Sequence, residues 1–217
     1  MNPDERAAFT AAAGWFRATV DEVGGRWDQP GLGEWTVRDL VGHTSRSLVT
    51  VETYLDARAV GSSAGSRPGP GAGAPGEVTV TSAVGYYAAV RQAVSSPAVT
   101  ERGRQAGAAL GPDPAGFLAV LDARVQARVS AADDGAFVAT AAGGMRLADY
   151  LPTRTFELVV HTADLAAALD VVTVPPHEAL ASAMHLAVQL AGENGDGVDV
   201  LLALTGRRPL PPGFTVL

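Results

Sequence analysis

The sequence predicts a mainly α protein: a bundle of long helices with a short C-terminal extension and minor β structure. Three observations predict it. Apolar residues recur at three- and four-residue spacing over long segments, the period of a helix that buries one face. Clusters of Gly and Pro punctuate those segments and end them. Hydrophobic residues make up 47% of the 217 and the mean hydropathy is +0.14, so the chain can bury a substantial core and is not disordered throughout.

Each element follows from its own pattern. From about residue 4 to 23, Phe9, Ala12, Ala13, Phe16, Val20 and Val23 form one apolar face, and Gly24 and Gly25 end the helix. The segment from Trp27 to Trp35 contains Pro30, Gly31 and Gly33 and reads as a loop. Thr36 with Asp39 then makes a capping pair for a second helix running to about Ala59. Its apolar arc is Val37, Leu40, Val41, Thr44, Leu48, Val51 and Leu55, with His43, Ser47, Thr50 and Tyr54 along one edge. Residues 61–76 are almost entirely Gly, Ser, Ala and Pro, too poor in apolar surface to offset chain ordering, and are expected to be a flexible loop.

Helical patterns resume at about 79–95 around Tyr86, Tyr87 and Val90, and at about 114–131 around Phe117, Leu118, Leu121, Val125 and Val129. Between them the Ala-rich stretch Pro97 to Gly111 suits a short helix. Phe137 to Thr140 suits a brief extended piece, after which Gly143 and Gly144 turn the chain into a helix from about Leu147 to Asp170. Beyond Pro175 and Pro176 one more helix runs to about Ala191, and a short tail follows. This divides the chain into a bundle over 1–174 and a helical extension over 175–217 that is too short for an independent domain.

Charge and residue usage narrow the partners. A net charge of −7, with acidic residues spread rather than clustered, argues against nucleic acid or an anionic membrane and favours a small molecule. All sixteen basic residues are Arg, a compositional bias to which we attach no mechanism. There is no cysteine, so a disulfide, a thiolate ligand and a protein thiol nucleophile are excluded, and any thiol chemistry uses a thiol from outside. The N-terminal stretch has no basic start, is interrupted by Arg17 and Asp21 and does not read as a signal peptide. No apolar run approaches the roughly 18 residues that a membrane span needs. The expectation is a cytoplasmic protein without a membrane or nucleic-acid partner, of open oligomeric state.

The chemistry-bearing candidates are His43 on one helix and Glu157 and His161 four apart on another. Residues four apart on a helix share a face and lie one turn from each other, near enough to share an ion. Two imidazoles and a carboxylate can hold a divalent metal and leave a coordination position for chemistry. The plain alternative is equally specific. Tyr150, Arg154, Glu157, His161 and Asp164 form one polar stripe on an otherwise apolar helix, so spacing alone favours a solvent face with a routine i,i+4 pair. A lone His at the edge of an apolar arc, such as His43, is more often a hydrogen-bonded packing residue than a ligand. His177 and His185 have no matching acidic spacing and read as structural, and Trp15, Trp27 and Trp35 read as core and loop anchors.

What changes this balance is context. His43 lies in GLGEWTVRDLVGHTSRSL, residues 31–48, and Glu157 and His161 lie in FELVVHTADL, residues 156–165. Together these stretches resemble the mycothiol-dependent maleylpyruvate isomerase family, a branch of the DinB/YfiT-like helical-bundle metalloenzymes. The shared pattern is a Gly/Pro loop, a Trp-Thr-Val-Arg-Asp helix start, a His at the spacing of His43, and a later Glu-x-x-x-His helix. The resemblance covers about residues 5–170, and the tail LTGRRPLPPGF is similar to an ending in this group.

The resemblance implies a DinB-like four-helix up-down bundle in which His43, Glu157 and His161 hold a divalent metal, zinc above others. It implies mycothiol as thiol cosubstrate and an electrophilic small molecule as its target, in an isomerase or S-transferase reaction. Asp39 and Asp164, each one turn from a ligand histidine, are candidates to take its other ring proton, with helix capping and a solvated charge as their plain roles. Arg154 is a candidate to orient an anionic substrate group or to pair with Glu157 or Asp164. Arg207 and Arg208 are candidates for the cosubstrate, and Tyr54 and Tyr150 for the pocket wall. A metal-dependent hydrolase and a non-catalytic metal- or ligand-binding protein are the alternatives on the same residues. The family's isomerases carry a sizeable second domain after the bundle, whereas about forty residues follow Val174, a departure that leaves the electrophile open.

Overall fold

The protein was analysed as a computed structural model, which describes residues 4–60, 76–94 and 97–217. The flexible loop expected over 61–76 lies outside the described residues except for Gly76.

Helix α1, Glu5–Asp21, starts where the Asp4 side chain accepts from the backbone N–H groups of Arg6 and Ala7, satisfying donors that the first turn leaves open. Helix α2, Val37–Val60, starts on a reciprocal cap: Thr36 N donates to Asp39 Oδ2 at 3.1 Å and Asp39 N donates to Thr36 Oγ1 at 3.2 Å. Helices α3 (Ala83–Val94), α4 (Pro97–Ala109) and α5 (Pro114–Ala131) follow, the last with Asp113 capping Gly116 N and Pro114 in its first turn. A two-stranded antiparallel hairpin, β1 (Phe137–Thr140) and β2 (Gly143–Arg146), pairs Val138 with Met145 and leads into helix α6, Leu147–Leu169. Asp170, at φ 52°, ends α6 in the left-handed conformation usual at helix C-termini. Helices α7 (His177–Glu193) and α8 (Gly197–Leu204) close the chain.

The helices form a bundle. Helices α1 and α2 each pack against both α5 and α6, so the four enclose one core in the cyclic order α1, α5, α2, α6. Phe9, Phe16, Leu40, Leu48, Leu118, Leu121, Leu158 and Leu165 fill it and are fully buried. Helix α7 lies against α1 and α6 and adds Ala179, Ala183, Leu186 and Leu190 to the same core, and α3 rests on α6 and α7. Helix α4 lies along α2 at backbone contact. A Cβ built on Gly42 would come 2.2 Å from Gly107 N, so only glycine lets the two helices approach this closely. That crossing sits next to His43.

Three local expectations are corrected. The helix expected from about 79 begins at Ala83, because Thr79 N and Val80 N both donate to Gly144 O, at 2.9 and 3.0 Å, and hold this segment extended beside the hairpin. Gly143 and Gly144 are strand β2 rather than a bare turn, and glycine is required since a Cβ on Gly144 would lie 2.0 Å from Glu77 O. Part of the expected tail, 197–204, is helix α8, whose apolar sequence GVDVLLAL carries no helical polar period to reveal it and which buries none of its residues.

Candidate metal centre

Contact between α2 and α6 brings together residues separated by more than a hundred positions. His43, Glu157 and His161 each offer a ligand atom, and these atoms all lie within 4.8 Å of one another. The two imidazoles meet edge to face with ring centroids 4.8 Å apart.

The stripe on α6 that spacing assigned to solvent faces inward. Tyr150 is fully buried, Arg154 is 8% exposed, and the Glu157 and His161 side chains are 19% and 16% exposed. Interior polar groups on an apolar helix need partners, and here each has a defined one or a defined lack.

Among the described residues, His43 is held by packing. Its ring lies 4.5 Å from Trp35, itself fixed by a 3.0 Å bond from Nε1 to Thr100 O. Its Nδ1 is buried with no hydrogen-bond partner among the described residues. Burial, reinforced by the neighbouring His161, pushes its pKa down to about 4, so the imidazole is neutral at physiological pH.

Glu157 is clamped on both oxygens. Oε1 accepts from Tyr87 Oη at 2.7 Å, and Oε2 lies 3.3 Å from His161 Nε2. Burial alone would raise its pKa, but His161, Arg154 and Tyr87 outweigh burial and hold it at about 2. His161 is in turn flanked by a second carboxylate, with Nδ1 3.1 Å from Asp164 Oδ2. Burial lowers its pKa, and the bonds to Asp164 and Glu157 override that and raise it to about 9. Between two carboxylates the imidazole holds a proton that a cation approaching Glu157 and His161 must displace.

The other sequence candidates separate clearly. Asp39 caps α2 and bonds Thr36, not His43. Asp164 lies on His161 Nδ1. Tyr150 donates to Thr50 Oγ1 at 2.9 Å, and Tyr54 is half-buried with its ring 5.7 Å from that of Tyr150, so both line the interior beside the centre. Arg154 forms no ion pair with Glu157 or Asp164 within 4.0 Å, and its guanidinium lies over the Tyr86 and Tyr150 rings. Arg207 and Arg208 are exposed, and their contacts, Thr205 O and Asp199, lie within the C-terminal segment itself.

Sequence reasoning missed Tyr87 and Trp35 as parts of this centre. Tyr87 was legible only as an apolar position of a helical pattern, although two adjacent tyrosines on one helix signal hydroxyls that need partners when buried. Trp35 stands eight residues before His43 in a loop, and no helical periodicity connects the two.

A family model described as Mycothiol maleylpyruvate isomerase N-terminal domain matches residues 6–166, about three quarters of the chain. The chain belongs to this family. As a mycothiol maleylpyruvate isomerase N-terminal domain, it has the family's match running from α1 into the last turns of α6, a span that includes His43, Tyr87, Arg154, Glu157 and His161. Helices α7 and α8 lie beyond it. No curated protein and no solved structure matches the chain. Among the described residues, no helix is long and apolar enough to cross a membrane.

Proposed function

We propose that this family member binds one divalent metal ion, zinc in the first place, through His43, Glu157 and His161. In this reading it acts with mycothiol as thiol cosubstrate in an isomerase or S-transferase reaction on an electrophilic small molecule. What supports the reading is the convergence of these three donors within 4.8 Å in a chain of the mycothiol maleylpyruvate isomerase N-terminal domain family. Two neutral imidazoles and one carboxylate are a donor set of catalytic zinc, and the absence of any cysteine means the thiol has to be brought in. A divalent ion held by such a set lowers the pKa of a bound thiol or water so that a nucleophile exists near neutral pH.

The chain's own residues do the rest. His43 is kept neutral by burial and aimed by Trp35. Tyr87 fixes one oxygen of Glu157, leaving the other beside His161. Asp164 accepts a hydrogen bond from His161 Nδ1–H, which fixes the tautomer and leaves Nε2 as the atom for the metal. The donors are held in place before a metal arrives, so the main cost of uptake is the proton that His161 has to give up.

The deciding experiment is the metal content of protein purified without added metal, alongside His161→Ala. Wild type should carry, or take up from zinc at neutral pH, close to one equivalent, and the variant far less. Absence of metal from wild type after zinc incubation would refute every metal-dependent form of the proposal. With metal present, turnover of electrophiles only when mycothiol is added supports thiol chemistry. Turnover without a thiol identifies a hydrolase, and ligand binding without turnover identifies a binding protein.

A further inference from the structure

The ending TGRRPLPPGFTVL follows the last helix, yet it reaches the back of the candidate centre. From Thr205 onward the chain forms neither helix nor strand. Its course is set by one turn. Phe214 N donates to Pro211 O at 3.1 Å, with Pro212 and Gly213 between them and Gly213 at φ 74°. Proline followed by a left-handed glycine at the two central positions is the signature of a type II turn. Open space surrounds Gly213, so a side chain there would be strained by the backbone conformation and by no neighbour. Beyond the turn, Val216 is half-buried against the core. Val216 and Leu217 line a cleft of about 230 Å³ together with Tyr87 and Arg91 of α3 and Leu190 of α7. Asn194, at the C-terminal end of α7, joins the three elements: its Nδ2 donates to Val216 O at 3.1 Å, and its Oδ1 accepts from Arg91 Nη2.

Helix α3 has few other anchors. Among its described side chains only Tyr86 and Tyr87 are buried, and a helix with so little buried surface opens locally at low cost. Tyr87 is also the residue whose Oη holds Glu157 Oε1 at 2.7 Å, while its ring packs 5.8 Å from Phe156 of α6. Any rocking of α3 therefore moves the group that aims Glu157. We infer that the C-terminal segment is a strap that ties α3 to α7, with Asn194 as a positioning residue that acts on Glu157 through Arg91, α3 and Tyr87. Two hydrogen bonds in a half-exposed setting contribute modestly to global stability. The strap thus biases the seat of α3 without deciding whether the bundle folds. The consequence for metal binding rests on the metal reading above; the tie between the tail, α7 and α3 does not.

The test uses two full-length variants, Asn194→Ala, which removes the joint, and Gly213→Val, which disturbs only the turn that delivers the tail. Hydrogen exchange read by mass spectrometry should show amides 86–91 of α3 exchanging about tenfold faster in both, with those of α5 within twofold of wild type. Zinc affinity should fall about three- to tenfold in each. In a Tyr87→Phe background the same substitutions should cost less than a further twofold, because the hydroxyl through which the strap acts has gone. A merely structural role would leave the two losses additive. Unchanged exchange of α3 in both variants, or an equal zinc loss with and without the Tyr87 hydroxyl, would overturn the inference. If wild type takes up no zinc while α3 loosens as expected, the metal reading fails alone. If zinc binds and α3 exchange does not respond, the strap fails alone.

Discussion

The pH dependence of metal binding offers the sharpest test of the electrostatics described above. The perturbation is a change from pH 8 to pH 6 in a zinc titration of metal-free protein, monitored by competition with a chelator of known pH-corrected affinity. Metal can bind only the neutral imidazole, so each candidate ligand histidine would contribute according to its neutral fraction. His43, at about 4, is already neutral across this range, and Glu157, at about 2, is already ionised. His161 is the exception, because Asp164 and Glu157 raise it to about 9. Its neutral fraction falls roughly 90-fold between pH 8 and pH 6, whereas an unperturbed imidazole near 6.5 would lose only about 4-fold. Apparent zinc affinity should therefore drop by nearly two orders of magnitude, about 1.4 kcal/mol for each pH unit. Close to one proton should be released per zinc bound at pH 7, read from calorimetry in buffers of different ionisation enthalpy, against about 0.2 for an unperturbed imidazole. An affinity change below about tenfold, or proton release near 0.2, would refute the arrangement of His161 between two carboxylates.

Further outcomes follow from single contacts. Asp164→Asn removes the carboxylate on Nδ1 and should flatten the pH dependence of zinc binding between pH 6 and 8; an unchanged profile would show that Asp164 does not raise the His161 pKa. Tyr87→Phe frees Glu157 Oε1 and should weaken zinc about 10- to 100-fold with the circular dichroism spectrum intact, the range expected when a partner that orients a ligand is lost. Gly42→Ala should destabilise the fold by about 1–3 kcal/mol in chemical denaturation, because the new methyl meets Gly107 backbone, even though helix propensity by itself favours Ala by about 1 kcal/mol. Tyr150→Phe loses the bond to Thr50 and should cost about 1 kcal/mol in the same assay, leaving zinc stoichiometry as it was.

The helices were largely legible because burial imposes a local period: Phe9, Phe16 and Val20 on α1 and Leu118, Leu121 and Val125 on α5 are both the apolar stripes of the sequence and buried residues of the core. Features created by distant segments were not. Gly143 and Gly144 look like a turn until residues 79 and 80 dock on them. The polar stripe of α6 looks like a solvent face, because a helical wheel records which residues share a side and not what lies opposite; α2 and α3 cover it here. The same limit applies within the centre. Glu157 and His161 are paired by spacing alone, whereas the meeting of His43 with them depends on how α2 packs on α6, and the role of Tyr87 on where α3 rests. Asp39 illustrates the converse: its capping role was readable from Thr36 three residues earlier, and the structure adds nothing that joins it to His43.

The placement of the three donors on α2 and α6 also bears on how firmly the protein stays folded. These helices are neighbours in space but are joined by a long stretch of chain, and they adjoin each other on one side of the bundle core. Whatever bridges them acts as a reversible staple closing a loop of more than a hundred residues, present in the native state and missing from the unfolded chain. Under mass action, a bridging ion at one hundred times its dissociation constant would add about 2.7 kcal/mol to the unfolding free energy, and chelation would take it away. Half-life in a cell would then track the supply of that ion, and the same contact between α2 and α6 that assembles the centre would let the protein's abundance report whether the centre is filled.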